Sequence, residues 1–364
     1  MARVLITEVD PGRPLGLAAR AAVEQVFALF PLAVEGRRVL VKPNIIGPFP
    51  PEAGATTNPL VVGAVVDHLL ERGADVVVGD NPGGLEVNSA HTARPTGLLD
   101  AARGRFLNLS REVAEVPAGS RFTDSFPLSR EVLEADLVVN MPCFKTHLLT
   151  TLTGCVKNCF GYVAGAAKAA LHLKAPSRNR FSELLADLYR IRPPDLHILD
   201  GVLAMEGNGP THGTTRPLGK ILAGYDGVAV DAVMARMMGV DPATLRLLSI
   251  AAERGLGEVE AIDLVGRLEV IPGFRLPSTF RSSPLEMAAA LMTISTTRPR
   301  VNPERCTGCG ECAVNCPPRV IRLDPHPVVE DGCISCFCCA ELCPEGAIVV
   351  PGDAIAGEFG KIFS

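Results

Sequence analysis

Lysine is nearly missing from this sequence. It supplies seven of the 35 basic side chains, and the other 28 are arginine. Long apolar runs are missing too. Hydrophobic residues make up 47% of the chain, yet no uninterrupted run approaches the ~20 residues that a membrane helix requires. A membrane-spanning role is therefore not expected. The first residues, MARVLITEVD, read as a strand. They lack the charged n-region and apolar h-region of a secretory signal. An excess of positive charge is also lacking. The net charge is −5, and it lies at one end: from Val301 onward there are four basic and nine acidic side chains, against 31 of each in residues 1–300. A neutral body carries no electrostatic footprint for nucleic acid. The acidic end suits a redox module that meets basic partners.

Phosphate-loop signatures fail as well. Gly161, Gly165 and Lys168 do not fit G-x4-G-K-[ST]. Gly207, Gly209 and Gly213 fit G-x-G but not G-x-G-x2-G, and a tight turn is the better reading.

What the chain does have is cysteine, twelve in all. Cys306, Cys309, Cys312 and Cys316 are spaced x2, x2, x3 and followed by Pro317; Cys333, Cys336, Cys339 and Cys343 repeat the spacing, followed by Pro344. This spacing marks cubane iron–sulfur binding. Three thiolates in one tight loop reach three corners of a cube, and the fourth, leading away, reaches the other cube. The reading gives one [4Fe-4S] cluster to Cys306, Cys309, Cys312 and Cys343, and the other to Cys333, Cys336, Cys339 and Cys316. Zinc or a disulfide scaffold would not call for the trailing Cys-Pro. Cys338 is surplus and reads as a packing residue. The stretch 301–350 resembles the bacterial two-cluster ferredoxin. So many cluster-spaced thiols imply a reducing compartment, the cytoplasm.

The preceding residues alternate short apolar strands with helical periodicity. Strands end at Lys42-Pro43-Asn44, Asp80-Asn81, Asn140-Met141 and Asp200-Gly201, with Asn58-Pro59 as a helix start. Such alternation predicts an α/β fold, a largely parallel sheet with flanking helices, followed by a small α+β ferredoxin-like domain. Expected boundaries are 1–272 for the α/β domain, 273–300 for a linker with a docking helix at Ser283 to Ile294, 301–350 for the ferredoxin unit and 351–364 for a tail. Helical periodicity is read over 242–256 and a closing strand over 262–271. Ligands gather at the carboxyl ends of parallel strands, where Lys42, Asn44 and Asp80 fall.

The scarce lysines are clustered. Lys145, Lys157, Lys168 and Lys174 lie within 30 residues, with His147 and His172 among them. In an arginine-biased chain a retained lysine suggests a compact point donor, or one that can lose its proton when buried. An anion-binding or proton-donating pocket follows; a solvated helix face is the plain alternative. Lys157 and Lys168 would share one face of an uninterrupted helix, although Gly161 and Gly165 stand between them. Cys155 and Cys159, one helical turn apart, read as buried structural residues.

VLVKPN with TTNP, GDNPGG, VVNMPCFKTH, TGCVKNCFGYVAGAAK, LDGVLAMEGNGP and AVDAV together resemble the family called domain of unknown function 362, over about residues 36–270. Members of that family often carry a C-terminal two-cluster ferredoxin, and no substrate is established by the family label. Cys143 departs from the pattern, which leads to the expectation of a lysine there.

The expectation is an iron–sulfur oxidoreductase, fed by an electron-donor protein or reductase. Its clusters would serve a small, anionic substrate or bound cofactor in the α/β domain. Lys157, Lys168, His147 and Lys145 would bind the anion or supply protons. Lys42, Asn44, Asn158, Asp80, Asp200, Glu206 and Asp231 would bind or orient. The competing reading is an electron carrier or assembly factor whose large domain docks a protein.

Overall fold

The computed structural model describes residues 1–81, 92–164, 167–175, 177–211, 213–281, 298–314, 316, 318–333, 339 and 343–349. Cys336, Cys338, Gly165, the Ser283 to Ile294 helix and the 351–364 tail lie outside them.

The large unit is built on a nine-stranded sheet. Its strands are β1 (Ala2–Glu8), β2 (Arg38–Pro43), β3 (Asp75–Val78), β6 (Leu137–Met141), β7 (Cys143–His147), β8 (Thr151–Thr153), β9 (Leu196–Glu206), β10 (Thr214–Gly224) and β11 (Ile262–Val265); β4 (Val113–Pro117) and β5 (Ser125–Ser129) form a separate hairpin. The order is β11-β1-β10-β9-β6-β2-β3, with β7 joining β9 and β8 joining β7. Pairings along β3-β2-β6-β9, β7-β9 and β1-β11 are parallel. The long strand β10 runs antiparallel to both β9 and β1. The fold is thus α/β with a mostly parallel sheet.

Both faces of this sheet are buried. Leu40, Val4 and Ile6 belong to one apolar core, while Val39, Val41 and Leu5 belong to the other. That is the period-2 alternation of a strand covered on two sides. Helices Leu15–Leu29 and Pro59–Leu70 cover one face; Arg178–Ile191, Gly227–Met237 and Arg246–Glu253 cover the other. The Asn58 side chain accepts from Leu60 N–H at 3.0 Å with Pro59 at the first helical position, the cap its sequence predicts.

Strands β6 and β7 are one extended run broken at Pro142. Proline has no N–H for a ladder, but its carbonyl accepts from Asp200 N–H at 2.9 Å. β6 therefore pairs with the start of β9 and β7 with its later part. This long interior run carries the polar residues toward one end of the sheet.

Several expectations are corrected. Residues 242–256 form a 3-10 turn, Pro242–Thr244, and the helix Arg246–Glu253. The closing strand is only Ile262–Val265. Lys157 and Lys168 sit in separate helices, Cys155–Asn158 and Ala167–Lys174, with the 3-10 turn Cys159–Tyr162 between them. Residues 274–281, given to the linker by composition, pack on the α/β core through Phe274, Leu276 and Phe280. Arg275 pairs with Glu206 at 2.9 Å, and Thr279 donates to Leu148 O at 2.5 Å.

The cysteine-rich region holds β12 (Arg300–Val301) against β15 (Ile348–Val349), the hairpin β13 (Ile321–Asp324) and β14 (His326–Val329), and the short helix Glu311–Val314. Among the described residues no helix is long and apolar enough to cross a membrane.

Candidate functional site

Lys42 lies at the carboxyl end of β2, one residue before its last, and is wholly buried. Its Nζ meets Asp80 Oδ1 at 2.7 Å, and Asp80 Oδ2 accepts from Ile45 N–H at 2.7 Å. A buried charge must be paired and hydrogen-bonded to be tolerated; here Lys42 Nζ also donates to Pro43 O at 3.1 Å, while Asp80 Oδ1 has the ion pair alone. Gly161 lies against it: a Cβ there would overlap Asp80 Oδ1 and stand 2.6 Å from Lys42 Nζ. The Gly161 loop thus brings backbone onto the ion pair, as a glycine permits.

Beside the pair stands a second buried lysine. Lys145 Nζ donates to Asn44 Oδ1 and to Ala55 O, both at 2.6 Å. Asn44 Nδ2 donates to Asn158 Oδ1 at 2.8 Å, and Asn158 Nδ2 to Asn140 Oδ1 at 2.7 Å. Asn140 Nδ2 reaches His197 Nδ1 at 3.0 Å, and His197 Nε2 reaches the Tyr189 hydroxyl at 3.3 Å. Sequence reasoning missed Asn140, His197 and Tyr189. The available signal was a polar residue closing an otherwise apolar strand, as Asn140 does in LVVNM.

His147 ends β7, one residue beyond Thr146. Its Nδ1 accepts from the backbone N–H of Leu149 at 3.1 Å and of Thr150 at 3.4 Å. That leaves the ring proton on Nε2. Burial first, then the charges of Lys157, His172 and Lys145, push the His147 pKa well below the usual imidazole range. His172 stacks on Phe181 with centroids 4.2 Å apart; burial, Lys157 and Lys168 lower its pKa to about 3. The two histidines are thus neutral groups inside a field of lysine charge. Lys168 also donates to Asn81 O. Thr151, opposite His147 in the β7–β8 pairing, holds φ at 68°. A β-branched residue pays for that conformation, and such strain collects where a loop must be held in one shape.

The structure brings Lys42, Asn44, Asp80, Lys145, His147, Lys157, Asn158 and Lys168 to one end of the parallel strands. It gives other candidates different work. Asp231 lies on the Gly227–Met237 helix and accepts from Cys155 N–H at 2.6 Å and Val156 N–H at 3.0 Å. It holds the start of the Cys155–Asn158 turn in place, and burial pushes its pKa up to about 7. Asp200 accepts from Asn58 N–H at 2.6 Å and Val202 N–H at 3.0 Å, with its pKa raised to about 6 by burial. Glu206 is committed to Arg275 at 2.9 Å and Arg216 at 3.1 Å. Burial alone would raise its pKa, but the Arg275 and Arg216 hydrogen bonds outweigh burial and hold it below the usual range. Cys143 lies 3.6 Å from Thr57 Oγ1, its pKa raised to about 12 chiefly by burial. Cys155 and Cys159 are buried in the core.

In the cysteine-rich region, Cys306, Cys309, Cys312 and Cys343 line one pocket. Burial first, then neighbouring Cys309, Cys343 and Cys306, push the Cys312 pKa up to about 12. Four thiolates cannot share that space without a cationic core among them, which a cubane supplies. Ala347 N–H donates to Cys343 Sγ at 3.1 Å, the kind of backbone contact that tunes a cluster.

Comparisons with known proteins agree with this division. The family described as domain of unknown function (DUF362) matches residues 39–236, and a 4Fe-4S binding domain matches residues 298–321. The "Thylakoid-associated protein sll1697" of Synechocystis sp. (strain ATCC 27184 / PCC 6803 / Kazusa) is 37% identical over 233 residues, covering 62% of this chain and 70% of that protein. Two solved structures show weaker likeness, each with a TM-score of 0.41. A Thermotoga maritima protein is 16% identical over 68% of this chain and 60% of its own. The lactate racemase apoprotein from Thermoanaerobacterium thermosaccharolyticum is 11% identical over 64% of this chain and 57% of its own. The chain thus spans less than two thirds of either solved protein. With the family match spanning more than half of its residues, the chain belongs to the DUF362 family and carries a C-terminal 4Fe-4S ferredoxin-type domain.

Proposed function

We propose that this protein is an iron–sulfur oxidoreductase that uses low-potential electrons on a small anionic substrate, or a bound organic cofactor, at the strand ends of the α/β domain. One observation carries the reading: Lys42, Lys145, Lys157, Lys168 and His147 gather at that end in a chain that also carries a 4Fe-4S domain. The pocket residues Cys306, Cys309, Cys312 and Cys343 fit one cluster, and Cys316, Cys333, Cys336 and Cys339 would hold the second. Bound there, the clusters would supply electrons one at a time.

The chain's own residues do the rest. Lysines 157 and 168 attract and orient the anion as point charges. Lys42, neutralised by Asp80, holds the Gly161 loop rather than the ligand. His147, held neutral, donates a hydrogen bond from Nε2, because Nδ1 is occupied by Leu149 and Thr150. The ammonium groups of Lys157 and Lys168 would supply the protons that match each electron taken up by the substrate. An electron-donor protein or reductase would recharge the clusters from outside, and a reducing cytoplasm suits the thiols.

The test is anaerobic reoxidation of the dithionite-reduced full chain, read by its cluster absorbance. The small-molecule filtrate of a cell extract should reoxidise it. Reoxidation by the protein fraction alone would reject the enzyme reading in favour of an electron carrier.

A further inference from the structure

We propose that Asn140 and His197 are positioning residues for Lys145, acting through Asn158 and Asn44 along a hydrogen-bond chain of a single polarity. The proposal rests on the reading above that the lysines gathered at this end of the sheet, Lys145 among them, serve the anion or supply its protons.

The polarity follows from donor and acceptor chemistry. A lysine ammonium only donates, so Asn44 must turn Oδ1 toward Lys145 Nζ, at 2.6 Å. Its Nδ2 then faces Asn158, which must accept through Oδ1, at 2.8 Å. Asn158 Nδ2 in turn donates to Asn140 Oδ1 at 2.7 Å. Asn140 has two N–H groups, and both are used: one meets Cys155 O at 3.0 Å, the other His197 Nδ1 at 3.0 Å. His197 Nδ1 is therefore an acceptor. Its proton sits on Nε2 and faces the Tyr189 hydroxyl, 3.3 Å away. Reversing any one amide would require reversing all three, and would aim an NH2 group at the Lys145 ammonium.

Water cannot repair a break at the far end of this chain. Asn140 and His197 are fully buried and Asn158 is nearly so, while Asn44, next to buried Lys145, is partly exposed. The backbone fixes the far end: Asn140 and His197 are direct partners in the parallel β6–β9 pairing. Protonating His197 would remove the acceptor at Nδ1, and burial lowers its pKa to about 3. The chain thus begins on two rigid central strands and ends on a residue at the mouth of the sheet. A positioning role needs such an anchor.

The experiment uses the full chain, reconstituted without oxygen. Histidine nitrogen NMR should show His197 as the Nε2–H tautomer. Asn140→Asp removes the donor at nearly constant shape. It should switch that tautomer, move the ε-carbon signal of Lys145 in lysine-labelled protein (seven lysines keep the spectrum simple), and slow filtrate-driven reoxidation roughly ten- to a hundredfold. With Asn140 unaltered, His197→Asn keeps an acceptor at the Nδ1 position and should retain the Lys145 signal and most of the rate, whereas His197→Leu should not. An Nδ1–H tautomer in the unaltered protein, which needs no variant to fold, overturns the proposal. So does an unmoved Lys145 signal in Asn140→Asp. If tautomer and signal move while reoxidation does not, the positioning chain stands and the role of Lys145 in the reaction falls.

Discussion

Asp231 and Asp200 hold their protons more tightly in the folded chain, at about 7 and about 6, than an exposed aspartate does. Between roughly pH 4 and 7 the folded state therefore binds more protons at these sites than the unfolded state, so their contribution to stability falls as pH rises through that window. Buried His147, His172 and His197 act with the opposite sign, because their folded pKa values are lowered. The difference between wild type and Asp231→Asn isolates the aspartate. Urea midpoints by circular dichroism should fall more for wild type than for Asp231→Asn between pH 5 and about 7.5. Equal falls would place the Asp231 proton elsewhere. Lys157 carries a different prediction. A charge-assisted hydrogen bond is worth about 1.5–3 kcal/mol, so Lys157→Met should weaken ligand use about ten- to a hundredfold, and Lys157→Arg should not rescue it. Lys220, paired with Glu8 at 3.1 Å on the β1 side of β10, is the control. The rate of filtrate-driven reoxidation decides, and equal losses from Lys157→Met and Lys220→Met would reject the anion site.

The turn between Cys155 and Lys174 shows what a sequence can and cannot display about an element. Its lysines stood out because the rest of the chain uses arginine. The helix is interrupted, as Gly161 between the two lysines allows. Gly154 sits where a Cβ would overlap Asp231 Oδ1, and Gly161 where one would overlap Asp80 Oδ1. These are tertiary constraints, set by residues 77 and 81 positions away, and helical periodicity does not report them. Gly161→Ala should therefore break or displace a buried ion pair, a loss of about 3–5 kcal/mol. Gly16→Ala, in the Leu15–Leu29 helix with open space around it, should instead be neutral or stabilise by up to about 1 kcal/mol. Melting temperatures of the two variants give the comparison, and similar shifts would mean that Gly161 does not support the Lys42–Asp80 pair.

At the scale of the molecule, the parallel sheet, its strand-end residues and the Asn58-Pro59 helix start were all legible, since each depends on local pattern. The link between Asn140 and His197 was not, because only the β6–β9 register joins them. Glu206 looked like a ligand because its partners show only in the fold: Arg216 stands across the β9–β10 pairing, and Arg275 is 69 residues away. The domain edge raises this problem again. Composition places it near residue 273, yet Phe274, Leu276 and Phe280 pack on the α/β core, and Arg275 and Thr279 tie down to Glu206 and Leu148. Burying a Phe or Leu side chain contributes roughly 1.5–3 kcal/mol. A chain ending after Arg281 should therefore fold and melt several degrees above one ending after Gly273, since ~1 kcal/mol moves the melting point of a domain this size by about 2–4 °C. Neither should bind iron, whereas the full chain should hold about eight atoms, and Cys309→Ser about half of that. Identical melting of the two truncated chains would return residues 274–281 to the linker, and iron retained after either truncation would place a cluster outside the cysteine-rich region.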